Sequence, residues 1–368
     1  MERKKKVCYV LAYRCPNYVR TRVILEALTR IDGLSLLKAL NTATGLRRYF
    51  QTLTKLIRLR MTEKPDYYIL GLRGTEIFWP VRIITAGKPL IFDQMMSSYD
   101  SLVNERQTGL KSTFLDKMLR SYEKSILRHA DIVLTDTLLH RDYFSQLFDM
   151  PRDKIVPIPV SADESVFFPV PAQTSPSTGQ RFHVLFYGSL LPLHGVEFIL
   201  AAAQNLSDHP VTFTLIGGER KGVRRIEETK KRLRLTNVIH EKWVDFERLP
   251  EWIGKADLCL GGPFGGTGQA RRVITGKTFQ FLAMNKPTLV GNIACDHGFV
   301  DKFNCLLIPQ ADAKAITQAI LWAMENRDKL TEIGVSGGEL YRQRYSNDRV
   351  REAFIGILDT LAERANKQ

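Results

Sequence analysis

The sequence predicts an α/β fold built as two parallel-sheet domains. Three observations carry that expectation: a length of 368 residues, two successive series of apolar strands alternating with helical stretches, and strands in the second series that run directly into glycine. A chain this long exceeds one comfortable hydrophobic core and divides naturally into two. Short apolar runs separated by helices of ten or more residues are the pattern of a parallel sheet with covered faces.

The first series opens with a strand at residues 7–11 and a helix at 19–30. Further strands are expected at 67–72, 90–92 and 132–135, with helical stretches between them. Residues 169–180, rich in Pro, Ser, Thr, Gly and Gln, read as a linker. The second series restarts with a strand at 183–187 leading into Gly188, then a helix at 195–206. Strand 211–216 ends in Gly217-Gly218, a strand at 238–240 follows, and strand 258–260 ends in Gly261-Gly262. A helix starts around Phe279, and residues 288–290 form another strand. Residues 348–365 carry Val350, Phe354, Leu358 and Leu361 at helical spacing. The expected domains are 1–168, the linker 169–180, 181–346, and a final helix over 347–368. Glycine at strand ends lets backbone approach a ligand at the carboxyl edge, where open α/β sheets bind. None of these glycines forms GxGxxG, which argues against a nicotinamide enzyme.

Composition narrows the classes further. Apolar residues are 44% and charged residues 25%, a globular balance. No apolar run approaches the roughly 18 residues of a membrane span, and the basic N-terminus lacks the long apolar region of a secretory signal. A cytoplasmic protein is the expectation. The five cysteines form no CxxC pair, so neither a disulfide framework nor a structural zinc site is expected. Net charge is +14, and residues 1–60 hold 14 Lys and Arg against 3 Asp and Glu. From Leu46 to Met61, apolar residues recur at helical spacing with Arg47, Arg48, Lys55 and Arg58 on other faces. Such a basic amphipathic helix suits an anionic membrane surface. A core-packing helix with a solvated cationic face is the simpler alternative. Nucleic acid is not expected, since no helix-turn-helix or aromatic platform accompanies the charge.

The run Phe186-Tyr187-Gly188-Ser189-Leu190-Leu191-Pro192-Leu193-His194-Gly195-Val196-Glu197 resembles the first βα unit of the donor domain in GT-B glycosyltransferases of the retaining GT4-like superfamily. So does Ala270-Arg271-Arg272-Val273-Ile274, continuing through Gly276-Lys277-Thr278-Phe279-Gln280 to Asn285-Lys286-Pro287. Trp243-Val244-Asp245, Leu249-Pro250-Glu251-Trp252-Ile253 and Ala256-Asp257-Leu258 follow the family pattern as well. In the first half, Lys88 to Asp93, Ser98-Tyr99-Asp100 and Ala130 to Thr137 are similar to an acceptor domain of one subgroup. The resemblance implies two Rossmann-like, doubly wound domains facing a cleft, with the last helix crossing back to the first domain. It also implies a nucleotide diphosphate sugar as donor, held mostly by the second domain between about Val184 and Pro309. A glycan or lipid-linked acceptor, envelope polysaccharide assembly, retention of configuration, and no metal or other cofactor are implied in the same way. Asp-x-Asp, the manganese-holding pattern of the other major glycosyltransferase fold, is absent from the sequence.

Sugar transfer from such a donor needs the growing charge on the leaving diphosphate stabilised. Backbone N–H groups at Gly188-Ser189 and at Thr275-Gly276-Lys277 could supply part of this. Family members commonly place Arg and Lys where this chain has Ser189 and His194, and paired glutamates where it has Arg272 and Gln280. His194 can donate a hydrogen bond and could carry partial charge, although a polar surface histidine is the simpler reading. Arg271, Arg272 and Lys277 are read as a relocated phosphate clamp, with Thr278 beside them. Gln280 retains an amide oxygen for ribose hydroxyls, and Gly217, Lys242, Trp243 and Val244 complete the expected ribose and base contacts. Asp93 and Asp100 are the candidate catalytic carboxylates on the acceptor side. The altered charged positions also leave room for a non-catalytic relative that binds a glycan or a partner protein.

Overall fold

The computed structural model describes residues 4–101, 114–169 and 181–366. The chain forms two compact units, one of residues 1–161 with 347–368 and the other of 162–346. Residues 170–180 of the expected linker lie outside the described residues.

The first unit is a six-stranded, all-parallel sheet in the order β2-β1-β3-β4-β5-β6. Its strands are β1 (Lys5–Leu11), β2 (Leu34–Leu40), β3 (Tyr67–Leu70), β4 (Leu90–Asp93), β5 (Ile132–Thr135) and β6 (Ile155–Pro157). β3, β4 and β5 are buried at every position, which is why they read as unbroken apolar runs. β2 has no such signature, because it lies at the sheet edge and is half-buried along most of its length. The expected strand at 67–72 stops at Leu70, although Gly71 still donates its N–H to Val10 O at 2.8 Å.

Helices α2 (Arg47–Thr62), α3 (Phe78–Ile84), α4 (Phe114–His129) and α5 (Leu138–Phe148) pack in series as one layer. Right-handed crossovers require this, since each of the four carries the chain in one direction along the sheet. α1 (Val19–Thr29) reverses that direction and packs instead against α12 (Asn347–Asn366). α12 buries Val350, Phe354, Ile357, Leu358 and Leu361, the spacing read from the sequence. Its first residue, Asn347, is fully buried, accepts from Ser161 Oγ at 3.1 Å and donates to Glu26 Oε2 at 3.0 Å.

The second unit has the strand order β12-β11-β10-β7-β8-β9, also all parallel. Its elements are β7 (Phe182–Tyr187), α6 (Val196–Asn205), β8 (Val211–Ile216), α7 (Arg220–Leu233), β9 (Val238–Glu241), α8 (Leu249–Lys255) and β10 (Leu258–Leu260). They continue with α9 (Gly276–Ala283), β11 (Thr288–Gly291), β12 (Leu306–Ile308), α10 (Ala313–Glu325) and α11 (Arg327–Arg344). The chain runs outward from β7 through β8 to β9, then crosses back to β10. The strand order therefore reverses between β7 and β10, and a crevice opens there at the carboxyl edge. Residues just before the expected linker belong to this unit: Tyr341 Oη bonds Glu164 at 2.9 Å, and the Phe167 and Phe246 rings meet at 5.1 Å.

Candidate functional site

The loops that follow β7 and β10 meet at that reversal point. Gly265 N–H donates to Leu193 O at 3.0 Å, and a Cβ on Gly265 would stand 2.2 Å from Pro192 O. A Cβ on Gly291, at the end of β11, would stand 1.8 Å from Pro263 O. These two positions admit only glycine because backbone already fills the space. The glycines at the strand ends thus hold the edge loops tightly against one another.

His194 lies inside this packing rather than on the surface. It is 9% exposed, with its ring 5.8 Å from that of Phe186. Leu191 N–H donates to His194 Nδ1 at 3.2 Å, which leaves the proton of the neutral ring on Nε2. Burial, with the Lys277 charge second, pushes its pKa well below the ordinary 6.5. At neutral pH His194 offers an N–H but no charge, which corrects both the surface reading and the partly cationic one.

Lys277 is the second residue of α9 and only 6% exposed. Its Nζ stands 4.9 Å from the centre of the Phe186 ring, and no ion pair or hydrogen bond holds it among the described residues. Desolvation lowers its pKa from 10.5 to about 7. A buried amine without a counter-ion is costly, and an incoming anion would relieve that cost. The backbone beside it is suited to the same anion. Thr275 makes no side-chain cap to α9, because its hydroxyl donates to Gly261 O at 2.6 Å. The opening N–H groups of α9 are therefore not taken by a capping side chain.

The other expected donor residues divide into engaged and exposed groups. Thr278 is fully buried, its hydroxyl 3.0 Å from that of Thr275, so it braces the start of α9. Gln280 is also buried, and its Oε1 accepts from the Tyr187 hydroxyl, which occupies the oxygen expected to meet ribose. Ser189 is exposed and Gly188 half-buried. A Cβ on Gly217 would stand 2.7 Å from Gly188 O, so the ends of β7 and β8 adjoin. Lys242 and Trp243 lie exposed past β9, with Val244 half-buried. Trp243 is 77% exposed and donates Nε1–H to Asp245 at 3.2 Å. Arg271 is exposed, while the half-buried Arg272 lies against Gly268, whose built Cβ would be 3.4 Å from Nη1. The three cations read as one clamp thus differ in setting, Lys277 lying against Phe186, Arg272 against Gly268, and Arg271 exposed.

In the first unit, Asp93 is fully buried and both its oxygens accept from Arg20 Nε, at 2.9 and 3.0 Å. Arg20 also donates to Ile158 O at 2.8 Å and Thr135 O at 3.2 Å, which ties α1 to the carboxyl edge of the sheet. A carboxylate so enclosed is not placed to accept an acceptor's proton, and Asp93 is a structural anchor. Asp100 is 4% exposed and accepts from the Tyr143 hydroxyl at 2.9 Å. The sequence reading missed Glu123. Its carboxylate accepts from Gln94 Nε2 (2.6 Å), Ser97 Oγ (2.9 Å), Ser98 N (3.0 Å) and Tyr99 N (2.8 Å), and so fixes the loop that carries Asp100. A glutamate one turn before the buried Ile126 and Leu127 was the available signal.

Comparison with known proteins fits this architecture. Residues 181–326 match the family described as Glycosyl transferases group 1. No curated protein matches the chain in sequence. Among solved structures, the chain is similar to sucrose-phosphate synthase from Thermosynechococcus elongatus, with a TM-score of 0.71 at 15% identity over 98% of this chain and 100% of that one. It is similar to HepE from Anabaena, solved in complex with UDP, with a TM-score of 0.72 at 14% identity over 96% of this chain and 100% of that one. A glycosyltransferase from Rickettsia africae gives 0.70 at 12% identity, over 98% and 99% of the two chains. The chain therefore has the GT-B fold, and its segment 181–326 matches the model of the glycosyl transferases group 1 family.

Proposed function

We propose that the protein transfers a sugar from a nucleoside diphosphate sugar to a glycan or lipid-linked acceptor, at the cytoplasmic side of a membrane and in envelope polysaccharide assembly. The observation that carries the donor half is Lys277, a buried lysine with no counter-ion among the described residues, at the uncapped start of α9. In this reading the diphosphate rests against Lys277, the opening N–H groups of α9 and the Nε2–H of His194. Charge grows on the diphosphate as the glycosidic bond breaks, so these donors act most strongly in the transition state. Ser189 and Gly188 border the diphosphate, and Arg272 adds a cation from the loop before α9. Gly217, Lys242, Trp243 and Val244 lie on the same strand edge and are assigned to ribose and base, with the amide of Gln280 joining once it parts from Tyr187.

Support for a uridine nucleotide comes from HepE, which is solved with UDP and with UDP-glucose. Transfer is assigned to the retaining class, with Asp100 as the carboxylate nearest an acceptor role. Charge stabilisation is assigned to the side chains and N–H groups above, so a chelator is expected to leave turnover unchanged. The test is incubation with a panel of uridine, guanosine and adenosine diphosphate sugars. Slow release of nucleoside diphosphate from one of them is the expected result. Neither hydrolysis nor binding across the whole panel would instead favour a non-catalytic relative, a reading that rests on the changed charges at Ser189, His194, Arg272 and Gln280.

A further inference from the structure

The helical layer of the first unit has an unusual outer surface. Inward, α2, α3 and α4 contribute ordinary core, with Leu56, Phe78, Val81, Ile126 and Leu127 fully buried. Outward, they carry eight of the eighteen exposed large apolar side chains among the described residues, and Leu46 adds a ninth just before α2. Phe50 is 76% exposed, Met61 72% and Ile83 73%. The apolar stripe read from the sequence is therefore split: Leu56 is buried and Tyr49 and Leu53 pack on the core, while Phe50, Ile57 and Met61 face solvent. Scattered exposed apolar residues are normal, but a concentration of them marks an interaction surface.

Its charge says what kind. The three helices hold ten Lys and Arg against two acids, Asp116 and Glu123, and neither acid is exposed. Arg47, Arg58 and Lys117 are exposed and take no partner among the described residues. On α2, Arg47, Phe50, Thr54, Ile57, Arg58 and Met61 form one exposed stripe, so cations and apolar groups alternate along the helix. A protein interface depletes charge at its apolar centre, whereas a bilayer surface takes both together. We propose that the outer surface of α2, α3 and α4 docks on an anionic lipid bilayer, with Phe50, Ile57, Met61 and Ile83 in the headgroup region and Arg47 and Arg58 against lipid phosphates. This role is independent of the donor and of the transfer reaction.

The full chain is sedimented with vesicles of phosphatidylcholine alone and with vesicles of equal parts phosphatidylcholine and phosphatidylglycerol. Capture by the mixed vesicles is expected, at least about tenfold stronger than by the neutral ones, with release at high salt. Phe50→Ser combined with Met61→Ser should weaken capture by roughly tenfold or more, and Arg47→Glu with Arg58→Glu should do the same. All four side chains are exposed, and an unchanged melting curve verifies that each variant folds. Capture by neither vesicle, equal capture by both, or indifference to both pairs of substitutions overturns the proposal. Self-association abolished by the Phe50 and Met61 substitutions would overturn it too, and would assign the surface to a second copy of the chain.

Discussion

Lys277 combines two demands that pull in opposite directions. In the unliganded protein, burial favours its neutral form, and in the proposed donor complex the diphosphate would favour the charged one. The unfolded chain keeps this lysine protonated up to about its ordinary 10.5, while the folded chain protonates it only below about 7. Protons therefore favour the unfolded state between these values, and the Lys277 contribution makes stability rise with pH across that window. Binding a nucleotide sugar has the opposite dependence, because the charged amine is the better partner. Donor affinity should fall above pH 7 by up to about tenfold per pH unit, until the lysine's pKa in the complex is reached. Lys277→Met should flatten that profile and weaken binding by roughly tenfold or more at neutral pH. The Asp93–Arg20 pair makes a different claim at the same scale. Asp93→Ala leaves a buried guanidinium without its carboxylate and should cost about 3–5 kcal/mol in denaturant unfolding. Asp93 and Lys277 were both visible in the sequence as ionisable residues beside apolar runs. What the sequence left open was the partner, because Arg20 lies on another element and Lys277 lies against an aromatic ring, with no counter-ion among the described residues.

At the scale of elements, the site depends on backbone held against backbone. Gly265→Ala would drive a Cβ into the turn that ends at His194. It should lower donor affinity by about tenfold or more while costing about 1–3 kcal/mol of stability, as overpacking does. Calorimetric titration and thermal unfolding read the two effects separately. In the second unit β7, β8 and β10 were legible because each runs into glycine, a residue that close approach requires. β2 was not, since an edge strand with one half-buried face leaves a weak pattern. The amphipathic pattern of α2 was legible, but its orientation was not. Helical spacing alone does not separate an inward stripe from an outward one when both carry apolar residues, and burial resolved it only once α3 and the sheet were in place.

At the scale of the whole chain, each unit has its own parallel sheet, and the first is completed by the last twenty residues of helix. Removing residues 347–368 would expose the face of α1 that α12 covers and strip Asn347 from Ser161 and Glu26. Hydrogen exchange should then quicken in β1 and α1 and stay unchanged in β7 and β8. The two series of strands were readable because a buried parallel strand is an apolar run, and the family likeness was readable because its motifs sit at strand ends. The charge arrangement was the least legible part, since the setting of Lys277 depends on Phe186, a residue distant in the sequence. The central claim is that Lys277 at the start of α9 receives a donor diphosphate, and the most direct measurement is calorimetric titration of UDP-glucose, with its guanosine and adenosine counterparts, into the wild-type protein and Lys277→Met at about pH 6 and about pH 8.5, values about a unit or more either side of the lysine's midpoint. The expected result is saturable binding of one of them by the wild type, weaker at the higher pH, and weak, pH-independent binding by the variant. Equal binding by both proteins at both pH values, or no binding of any of the three, would contradict it.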